Sequence, residues 1–298
     1  MPEQTPAVVD TEWLQSRLND PTIRIIDATT QLKHASADGY YSLESGRAAF
    51  ERQHIPGAVF ADVLYDFADA NAPHSMTVPS SEQFEKAIGA LGVSNETHVI
   101  VYDQLDMERW PEYYPFWASR LWWHLRLEGH TKVSVLEGGL GKWKGEGRAI
   151  ATGATKVDPA MYVAHRRPEL LATIDEVAAA IDSDRAVLIN VLNDDTFSGR
   201  QQVYARPGHI PSSKHVFFGK VIDIDTGRYR ATEEVRPLFE EIGALETDKK
   251  PIVYCGSGIA ATIVALQLAR VGREDTAVYD GSMTEWASDE SRPLILTP

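Results

Sequence analysis

The sequence predicts an α/β protein made of two tandem domains, each a mostly parallel sheet with helices on both faces. Its 298 residues are enough for two domains of about 150 residues each. Three sequence blocks occur twice in the same order, and in each copy short apolar runs alternate with segments of helical spacing. This alternation is typical of parallel sheets that are covered on both faces.

The internal repeat has a period of roughly 150 residues, the size of one domain. The paired blocks are His54–Gly57 with His209–Ser212, His98–Asp103 with Lys250–Cys255, and Leu136–Trp143 with Tyr279–Trp286. Three matches in one order indicate two copies of one domain. We place the first domain at residues 1–150, a polar linker at 151–168, and the second domain at 169–298.

In the first copy, three β-branched apolar runs predict strands, and two amphipathic segments predict helices. The strands are Thr22–Ala28, Val99–Tyr102 and Val133–Leu136, and the helices are Ser81–Leu91 and Ser119–Leu127. Asp103 directly follows the second of these strands. Because α/β proteins bind ligands at the carboxyl ends of parallel strands, Asp103 stands at a candidate ligand position.

The second copy repeats this alternation. Its predicted strands are Ala186–Val191, Ile252–Tyr254 and Thr276–Tyr279, and its predicted helices are Thr173–Ile181, Thr232–Ile242 and Ala260–Val271. Here Cys255 takes the place that Asp103 has in the first copy. Only the second copy therefore has a nucleophile at this position, and the first copy is interpreted as structural or cleft-forming.

The composition is that of a globular protein with an acidic surface. The net charge of −14 argues against non-specific binding to nucleic acid or anionic membranes. There is no apolar run long enough to predict a membrane span, and the first residues do not resemble a secretory signal. A single cysteine fits a reducing compartment, so we expect a cytoplasmic protein.

Cys255 is the only cysteine, and it ends a buried strand pattern just before a turn of small residues and a helix. A lone cysteine is often only a small buried hydrophobe. At this position, however, the helix dipole and the backbone N–H groups of the turn favour a thiolate. The pattern therefore predicts that Cys255 is catalytic, with a loop formed by the six residues that follow it: Gly256, Ser257, Gly258, Ile259, Ala260 and Ala261.

Taken together, these blocks resemble the tandem-domain rhodanese and 3-mercaptopyruvate sulfurtransferase family. The resemblance covers essentially the whole chain. It rests on Arg47, Glu51–Gly57, Trp122-Trp123, Gly129-His130, Gly138-Gly139 and Trp143 in the first copy, and on Gly208–Pro211, Asp225–Tyr229 and Cys255–Ala260 in the second.

The resemblance implies a transferase that moves a sulfane sulfur in two steps. The Cys255 thiolate takes sulfur from a small anionic donor, such as thiosulfate or 3-mercaptopyruvate, and holds it as a persulfide. A thiol or cyanide then accepts that sulfur. Neither a metal nor an organic cofactor is implied.

The chain departs from the family pattern in the residues expected to bind the donor. Gly256-Ser257-Gly258 resembles the loop of mercaptopyruvate-type members, but Ala260 stands where threonine is usual. The two arginines that grip a substrate carboxylate in such members are replaced by Leu192 and Thr196. Neither residue can form a bidentate clamp, so the donor stays open.

Three nearby cations are candidates for a different anion site. They are Arg200, Arg206 and Lys214, and the alternative is that they are ordinary solvated surface charges. His215 stands where asparagine is usual, and we expect a structural hydrogen bond there. Trp110 begins an aromatic segment that ends at Trp117; it is a candidate for covering the substrate, and the alternative is packing.

The sequence offers two alternatives to catalytic sulfur transfer. Related cysteine loops that transfer phosphoryl groups are one residue longer and end in an arginine, and the chain has Ala261 at that position. Without the guanidinium, phosphoryl transfer lacks its main charge stabiliser. The second alternative is a sulfur-relay or binding module with weak turnover on small donors.

Overall fold

The computed structural model describes residues 5–34, 41–104, 116–223 and 226–297. The chain divides into two compact units. The first unit comprises Met1–Asn71, Val78–Arg166 and Asp225–Gly227, and the second comprises Ala72–Thr77, Arg167–Ile224 and Arg228–Pro298.

The first unit is built on a five-stranded sheet in which all neighbouring strands are parallel. Its strands are β1 (Val8–Val9), β2 (Ile23–Asp27), β3 (Thr30–His34), β4 (Tyr41–Ser45), β5 (Val59–Phe60), β6 (His98–Tyr102) and β7 (Val133–Leu136). The sheet has the order β1-β7-β6-β2-β5, while β3 and β4 form an antiparallel pair. The central strand β6 ends directly before Asp103.

Helices cover both faces of this sheet. They are α1 (Thr11–Gln15), α2 (Arg47–Arg52), α3 (Ser81–Ala90), α4 (Phe116–Leu127) and α5 (Gly139–Gly145). On one face, Ile100 and Tyr102 of β6 pack with Phe50, Leu140 and Trp143, which belong to α2 and α5. Since side chains alternate along a strand, Val99 and Val101 face the opposite way, where α4 packs on β6 and β7.

The second unit repeats the first. Its strands are β8 (Leu171–Ala172), β9 (Ala186–Asn190), β10 (Lys214–His215), β11 (Ile222–Asp223), β12 (Arg228–Tyr229), β13 (Lys250–Tyr254) and β14 (Ala277–Tyr279). The order β8-β14-β13-β9-β10 reproduces that of the first sheet, strand for strand, and again every pair is parallel. Strands β11 and β12 form a separate antiparallel pair.

The helices of the second unit also lie on two faces. They are α6 (Ile174–Ala180), α7 (Asp194–Ser198), α8 (Thr232–Glu241), α9 (Ala261–Arg270) and α10 (Ser282–Ser288), with 3-10 turns at Pro168–Leu170 and Phe218–Lys220. Helix α9 packs on β13 and β14. The other face is a core that contains Val177 of α6, Tyr254 of β13 and Trp286 of α10.

The repeat extends to single hydrogen bonds. The Tyr102 hydroxyl accepts the Ile55 N–H at 3.2 Å, and the Tyr254 hydroxyl accepts the Ile210 N–H at the same distance. His54 and His209 each place Nδ1 within 2.9 Å of a backbone carbonyl oxygen. Backbone bonding and packing was the role expected of both histidines. The predicted fold class is confirmed.

The residues of the predicted linker up to Arg166 hydrogen-bond to the first unit. The Tyr162 hydroxyl donates to the Glu128 carbonyl at 3.2 Å, and Arg166 Nε donates to the Glu128 carboxylate at 2.8 Å. The division between the units falls after Arg166. The domain limits drawn from the sequence stay a prediction.

Candidate active site

Cys255 lies at the carboxyl end of β13, the central strand of the second sheet. The strands on either side, β9 and β14, run parallel to it, so all three carboxyl ends meet at one edge of the sheet. The Cys255 side chain is only 2% exposed. This buried position at a strand end is the one that α/β proteins use for ligands.

The loop after Cys255 is fastened to the start of α10 by the side chain of Ser282. Its Oγ accepts the N–H groups of Cys255 and Gly258, both at 3.1 Å, and donates to the Tyr279 carbonyl at 2.6 Å. Ser282 has a φ of 49°, a left-handed conformation that side chains rarely adopt. Its hydroxyl therefore bridges the beginning and the middle of the loop, and holds it closed.

The backbone of α10 adds two further bonds to the same loop. The N–H of Met283 donates to the Cys255 carbonyl at 3.0 Å, and the N–H of Thr284 donates to the Gly256 carbonyl at 2.9 Å. The carbonyl oxygens at the start of the loop are thus turned towards α10. This leaves the N–H side of the loop for other partners.

Most N–H groups of the loop have no hydrogen-bond partner in the part of the chain that the structure describes. They belong to Gly256, Ser257, Ile259, Ala260 and Ala261. The N–H of Gly258 is the exception because it donates to Ser282. Unpaired N–H groups beside a helix N-terminus form an environment suited to an anion.

Two glycines are needed for this loop shape. Gly258 has a φ of 67°, which favours glycine. A Cβ on Gly256 would lie 2.2 Å from the hydroxyl oxygen of Tyr204, and no side chain can be accommodated at that distance. The Gly-Ser-Gly sequence therefore combines a backbone requirement at Gly258 with a close contact at Gly256.

Ser257 takes part in a chain of hydroxyl groups. Thr284 Oγ1 donates to the Gly256 carbonyl at 2.7 Å and lies 3.3 Å from Ser257 Oγ. Because the Thr284 proton is used on the carbonyl, Ser257 is the donor in the second contact. To donate to a substrate, the Ser257 hydroxyl would have to rotate away from Thr284.

The candidate cations are engaged elsewhere. Arg206 donates to four backbone carbonyls, those of Trp286, Ala287, Asp289 and Arg292, at 2.6 to 3.2 Å. Arg200 is exposed and pairs with Asp195 at 2.7 Å. Lys214 lines a cavity of about 360 Å³ with Asp182 and Asp184, beside the amino-terminal half of β9. Neither Arg206 nor Lys214 is placed to build an anion site at Cys255.

The residues that replace the expected arginines have interior roles. Leu192 is half-buried and packs against the core of the second sheet. Thr196 is 5% exposed, and its N–H donates to the Asn193 side chain at the start of α7. His215 lies 2.7 Å from the Leu192 carbonyl through Nε2, which is the structural hydrogen bond expected of it.

The aromatic segment can be described only in part. Trp110 lies outside the described residues, so its predicted role is not addressed by the structure. Trp117 is 2% exposed in the first turn of α4. Among the described residues, no group of three or more His, Cys, Asp or Glu side chains is placed to hold a metal ion.

Three residues of this site were not found by sequence reasoning: Tyr204, Ser282 and Thr284. Ser282 and Thr284 do lie in a block that matches the first copy, where Gly139 occupies the position of Ser282. Gly139 and Ser282 have nearly the same φ, 51° and 49°. The exchange of Gly139 in the first copy for Ser282 in the second is a sequence signal that could have identified Ser282. No comparable signal marks Tyr204.

Comparison with known proteins assigns both halves of the chain to one family. The rhodanese-like domain family matches residues 10–146 and again 173–289. The chain belongs to the rhodanese-like family. Its tandem arrangement of rhodanese-like domains confirms the family resemblance found in the sequence.

Relatives with known names are similar over nearly the whole chain. Thiosulfate sulfurtransferase from Rattus norvegicus is 32% identical, with 94% of this chain and 91% of the relative covered. The 3-mercaptopyruvate sulfurtransferase from the same organism is 31% identical, with 96% and 93% covered. The predicted enzyme class, a sulfurtransferase, is confirmed by these relatives.

A solved structure gives the same result. The crystal structure of SseA from Escherichia coli, a 3-mercaptopyruvate sulfotransferase with the rhodanese fold, superposes with a TM-score of 0.78 at 31% identity. It covers 93% of this chain and 99% of SseA. Tum1 from Saccharomyces cerevisiae has the same fold, with a TM-score of 0.80 at 19% identity.

In the described ranges, no helix of this rhodanese-like protein combines the length and the apolar character that a membrane span requires.

Proposed function

We propose that this protein moves a sulfane sulfur from a small donor, through a persulfide on Cys255, to a thiol or cyanide. The observation that carries the proposal is the loop after Cys255. It is held closed by Ser282, and five of its N–H groups have no partner among the described residues. A persulfide is an anion held at this position, and such N–H groups stabilise it.

The proposed reaction has two displacement steps. The Cys255 thiolate attacks the sulfur that the donor will transfer, and a new S–S bond forms on Sγ. At the same time the bond that held this sulfur in the donor breaks, which is an S–S bond in thiosulfate and a C–S bond in 3-mercaptopyruvate. The electron pair leaves with the remainder of the donor, as sulfite from thiosulfate or as pyruvate enolate from 3-mercaptopyruvate. Cyanide or a thiolate then attacks the outer sulfur of the persulfide, and Cys255 leaves as a thiolate.

The donor is proposed at the level of a small sulfane-sulfur compound. Relatives named for thiosulfate and for 3-mercaptopyruvate are equally similar to this chain. Leu192 and Thr196 stand where a carboxylate clamp was expected, which argues against strong selection for 3-mercaptopyruvate. A cytoplasmic location and the absence of nucleic-acid and membrane partners remain predictions from the composition.

A sulfur-relay function is the second candidate. It is favoured by the position of Arg206, whose guanidinium is bound by backbone carbonyls, and by that of Lys214, which lines a cavity beside the amino-terminal half of β9. Small anionic donors are then left without these charges at Cys255. In a relay, a protein persulfide would deliver the sulfur directly. Turnover with thiosulfate, 3-mercaptopyruvate and a low-molecular-weight persulfide separates the two functions, because a relay predicts near-zero rates with all three.

The proposal is tested by mass spectrometry of the intact protein. Incubation with thiosulfate should add the mass of one sulfur atom at Cys255, and cyanide should remove it as thiocyanate. Cys255→Ser should abolish both events while keeping the melting temperature close to that of the wild type. A Cys255→Ser protein that still produces thiocyanate at the wild-type rate would show that the assignment is wrong.

A further inference from the structure

Tyr204 lies in the segment between α7 and β10. No sequence pattern singled it out, and the reaction described above does not use it. Its half-buried ring packs against the hydrophobic core of the second sheet, the core that contains Tyr254. Its hydroxyl reaches the loop that follows Cys255.

The contact between Tyr204 and the loop is close. A Cβ on Gly256 would meet the Tyr204 oxygen at 2.2 Å, its Cζ at 3.0 Å and its Cε1 at 3.2 Å. The edge of the phenol ring therefore occupies the space that a side chain at Gly256 would fill. Gly256 directly follows Cys255, so the hydroxyl lies against the first residue of the loop, next in the chain to the cysteine.

The Tyr204 hydroxyl has no hydrogen-bond partner within the described portion of the chain, although the Tyr204 carbonyl accepts a bond from the Gln202 side chain. Its proton is therefore available to a partner that forms only during the reaction. An anionic sulfur on Cys255 would provide one. The side chain is therefore suited to donate to the reacting sulfur.

The charge at Cys255 also affects Tyr204. Burial first, and then the negative charge of Cys255, raise the pKa of the Tyr204 hydroxyl above its ordinary value. The phenol therefore keeps its proton at neutral pH and can act there as a neutral donor.

We propose that Tyr204 is a catalytic residue of this site, whose hydroxyl donates a hydrogen bond to the sulfur carried by Cys255. This inference rests on the proposed function and adds a side-chain donor to the backbone donors of the loop. The proton stays on Tyr204, while the S–S bonds form and break as described above. Because the contact is made with the sulfur and not with the rest of the donor, Tyr204 should act alike on all donors.

The first test is Tyr204→Phe, which removes only the hydroxyl. Hydrogen bonds to charged groups of this kind correspond to a roughly tenfold to hundredfold change in rate. We expect kcat/KM to fall within that range, and by the same factor with thiosulfate and with 3-mercaptopyruvate. Tyr65→Phe is the matched control, since Tyr65 is 64% exposed in the first unit and should leave both values unchanged.

A second measurement separates catalysis from packing. The rate of Cys255 alkylation by iodoacetamide should show a pH profile that moves to higher pH in Tyr204→Phe, because the thiolate loses a donor. A purely structural role would leave this profile in place.

A double variant tests the contact between Tyr204 and Gly256. Gly256→Ala alone should lower kcat/KM, because the new methyl group clashes with the Tyr204 oxygen. In Tyr204→Phe/Gly256→Ala this oxygen is absent, so the fold-loss in kcat/KM should be smaller than the product of the two single fold-losses.

These experiments separate a failure of the inference about Tyr204 from a failure of the proposed sulfur transfer by Cys255. If wild-type Cys255 gains one sulfur while Tyr204→Phe keeps the wild-type kcat/KM with both donors, the inference about Tyr204 is wrong and sulfur transfer stands. A loss confined to one donor would also overturn it, since Tyr204 would then bind the rest of the donor. If wild-type Cys255 gains no sulfur, the proposed function itself fails.

Discussion

The two central strands, β6 and β13, are followed by residues with the same backbone hydrogen bond but different side chains. Asp103 follows β6 and Cys255 follows β13, and both side chains are almost fully buried. Leu140 donates its N–H to the Asp103 carbonyl at 3.0 Å, and Met283 does the same for Cys255. The backbone frame is thus conserved between the two domains, while the side chain within it has changed.

The difference lies in what the backbone N–H groups bind. In the first domain the Asp103 carboxylate itself accepts the N–H of Ala118, at 3.2 Å, in the first turn of α4. In the second domain the N–H groups after Cys255 are left without partners among the described residues. The first domain supplies its own acceptor, the Asp103 carboxyl oxygen, and the second leaves these donors open for an acceptor that arrives with a substrate. One duplicated backbone frame therefore surrounds an aspartate in the first copy and, in the second, the cysteine that we propose as the nucleophile.

The largest expected effect comes from exchanging the two side chains. Cys255→Asp should abolish persulfide formation because the carboxylate has no nucleophilic sulfur and fills the anion position. The reciprocal Asp103→Cys should add no second sulfur on incubation with thiosulfate. Asp103 is followed by Gln104 instead of a glycine, and Gly139 supplies no hydroxyl. Intact mass spectrometry counts the added sulfur atoms; two in Asp103→Cys would mean that the cysteine suffices without its loop.

An intermediate effect is expected at Ser282, the residue that replaces the glycine of the first copy. Ser282→Ala removes the hydroxyl that accepts the N–H groups of Cys255 and Gly258, which costs about 1–3 kcal/mol of unfolding free energy. We expect kcat/KM to fall about tenfold or more, because the loop loses its closure. Both quantities can be measured, by urea unfolding and by thiocyanate formation.

Ser282→Gly is the matched control for backbone strain. It removes the same hydroxyl but relieves the positive φ, which disfavours a side chain by about 1 kcal/mol or more. It should therefore be more stable than Ser282→Ala and equally impaired in activity. If Ser282→Gly were as active as the wild type, the hydroxyl would not be what holds the loop.

A smaller effect is expected from the pH dependence of the first domain. Burial raises the pKa of Asp103 to about 7, although hydrogen bonds from Ala118 and Trp117 oppose the shift. The protonated carboxyl is therefore favoured in the folded protein. Its stabilising contribution is full below pH about 4 and is lost as the pH rises to about 7.

Asp103→Asn tests this because an amide cannot ionise in that range. The melting temperature of the variant, relative to the wild type, should rise by several degrees between pH about 4 and about 7 and then level off. Asp20→Asn is the control, since hydrogen bonds from Thr22 lower the pKa of this exposed carboxyl; its melting-temperature difference from the wild type should change only below pH about 4 and stay flat between pH about 4 and about 7. A difference for Asp103→Asn that stays constant with pH would show that Asp103 does not titrate as a buried acid.

Much of the fold was accessible from the sequence. Strand Val133–Leu136 was predicted with the observed limits, and helix Ser81–Leu91 differs from the observed Ser81–Ala90 by one residue. Short parallel strands are continuous apolar runs, and their helices are amphipathic, so local patterns suffice to find both. The position of Cys255 at a strand end followed from the same patterns.

The sequence by itself determined the duplication and the order of the elements, and it singled out Cys255 as the candidate nucleophile, because these depend on neighbours in the chain. Only the tertiary structure decided what surrounds that nucleophile. Ser282 and Tyr204 reach the Cys255 loop from residues far along the chain, through the packing of α10 and of the segment before β10. In the sequence, Arg206 is a candidate for binding an anionic donor; in the structure, its guanidinium donates to four backbone carbonyls instead. Such contacts depend on how elements pack in space, which no local periodicity encodes.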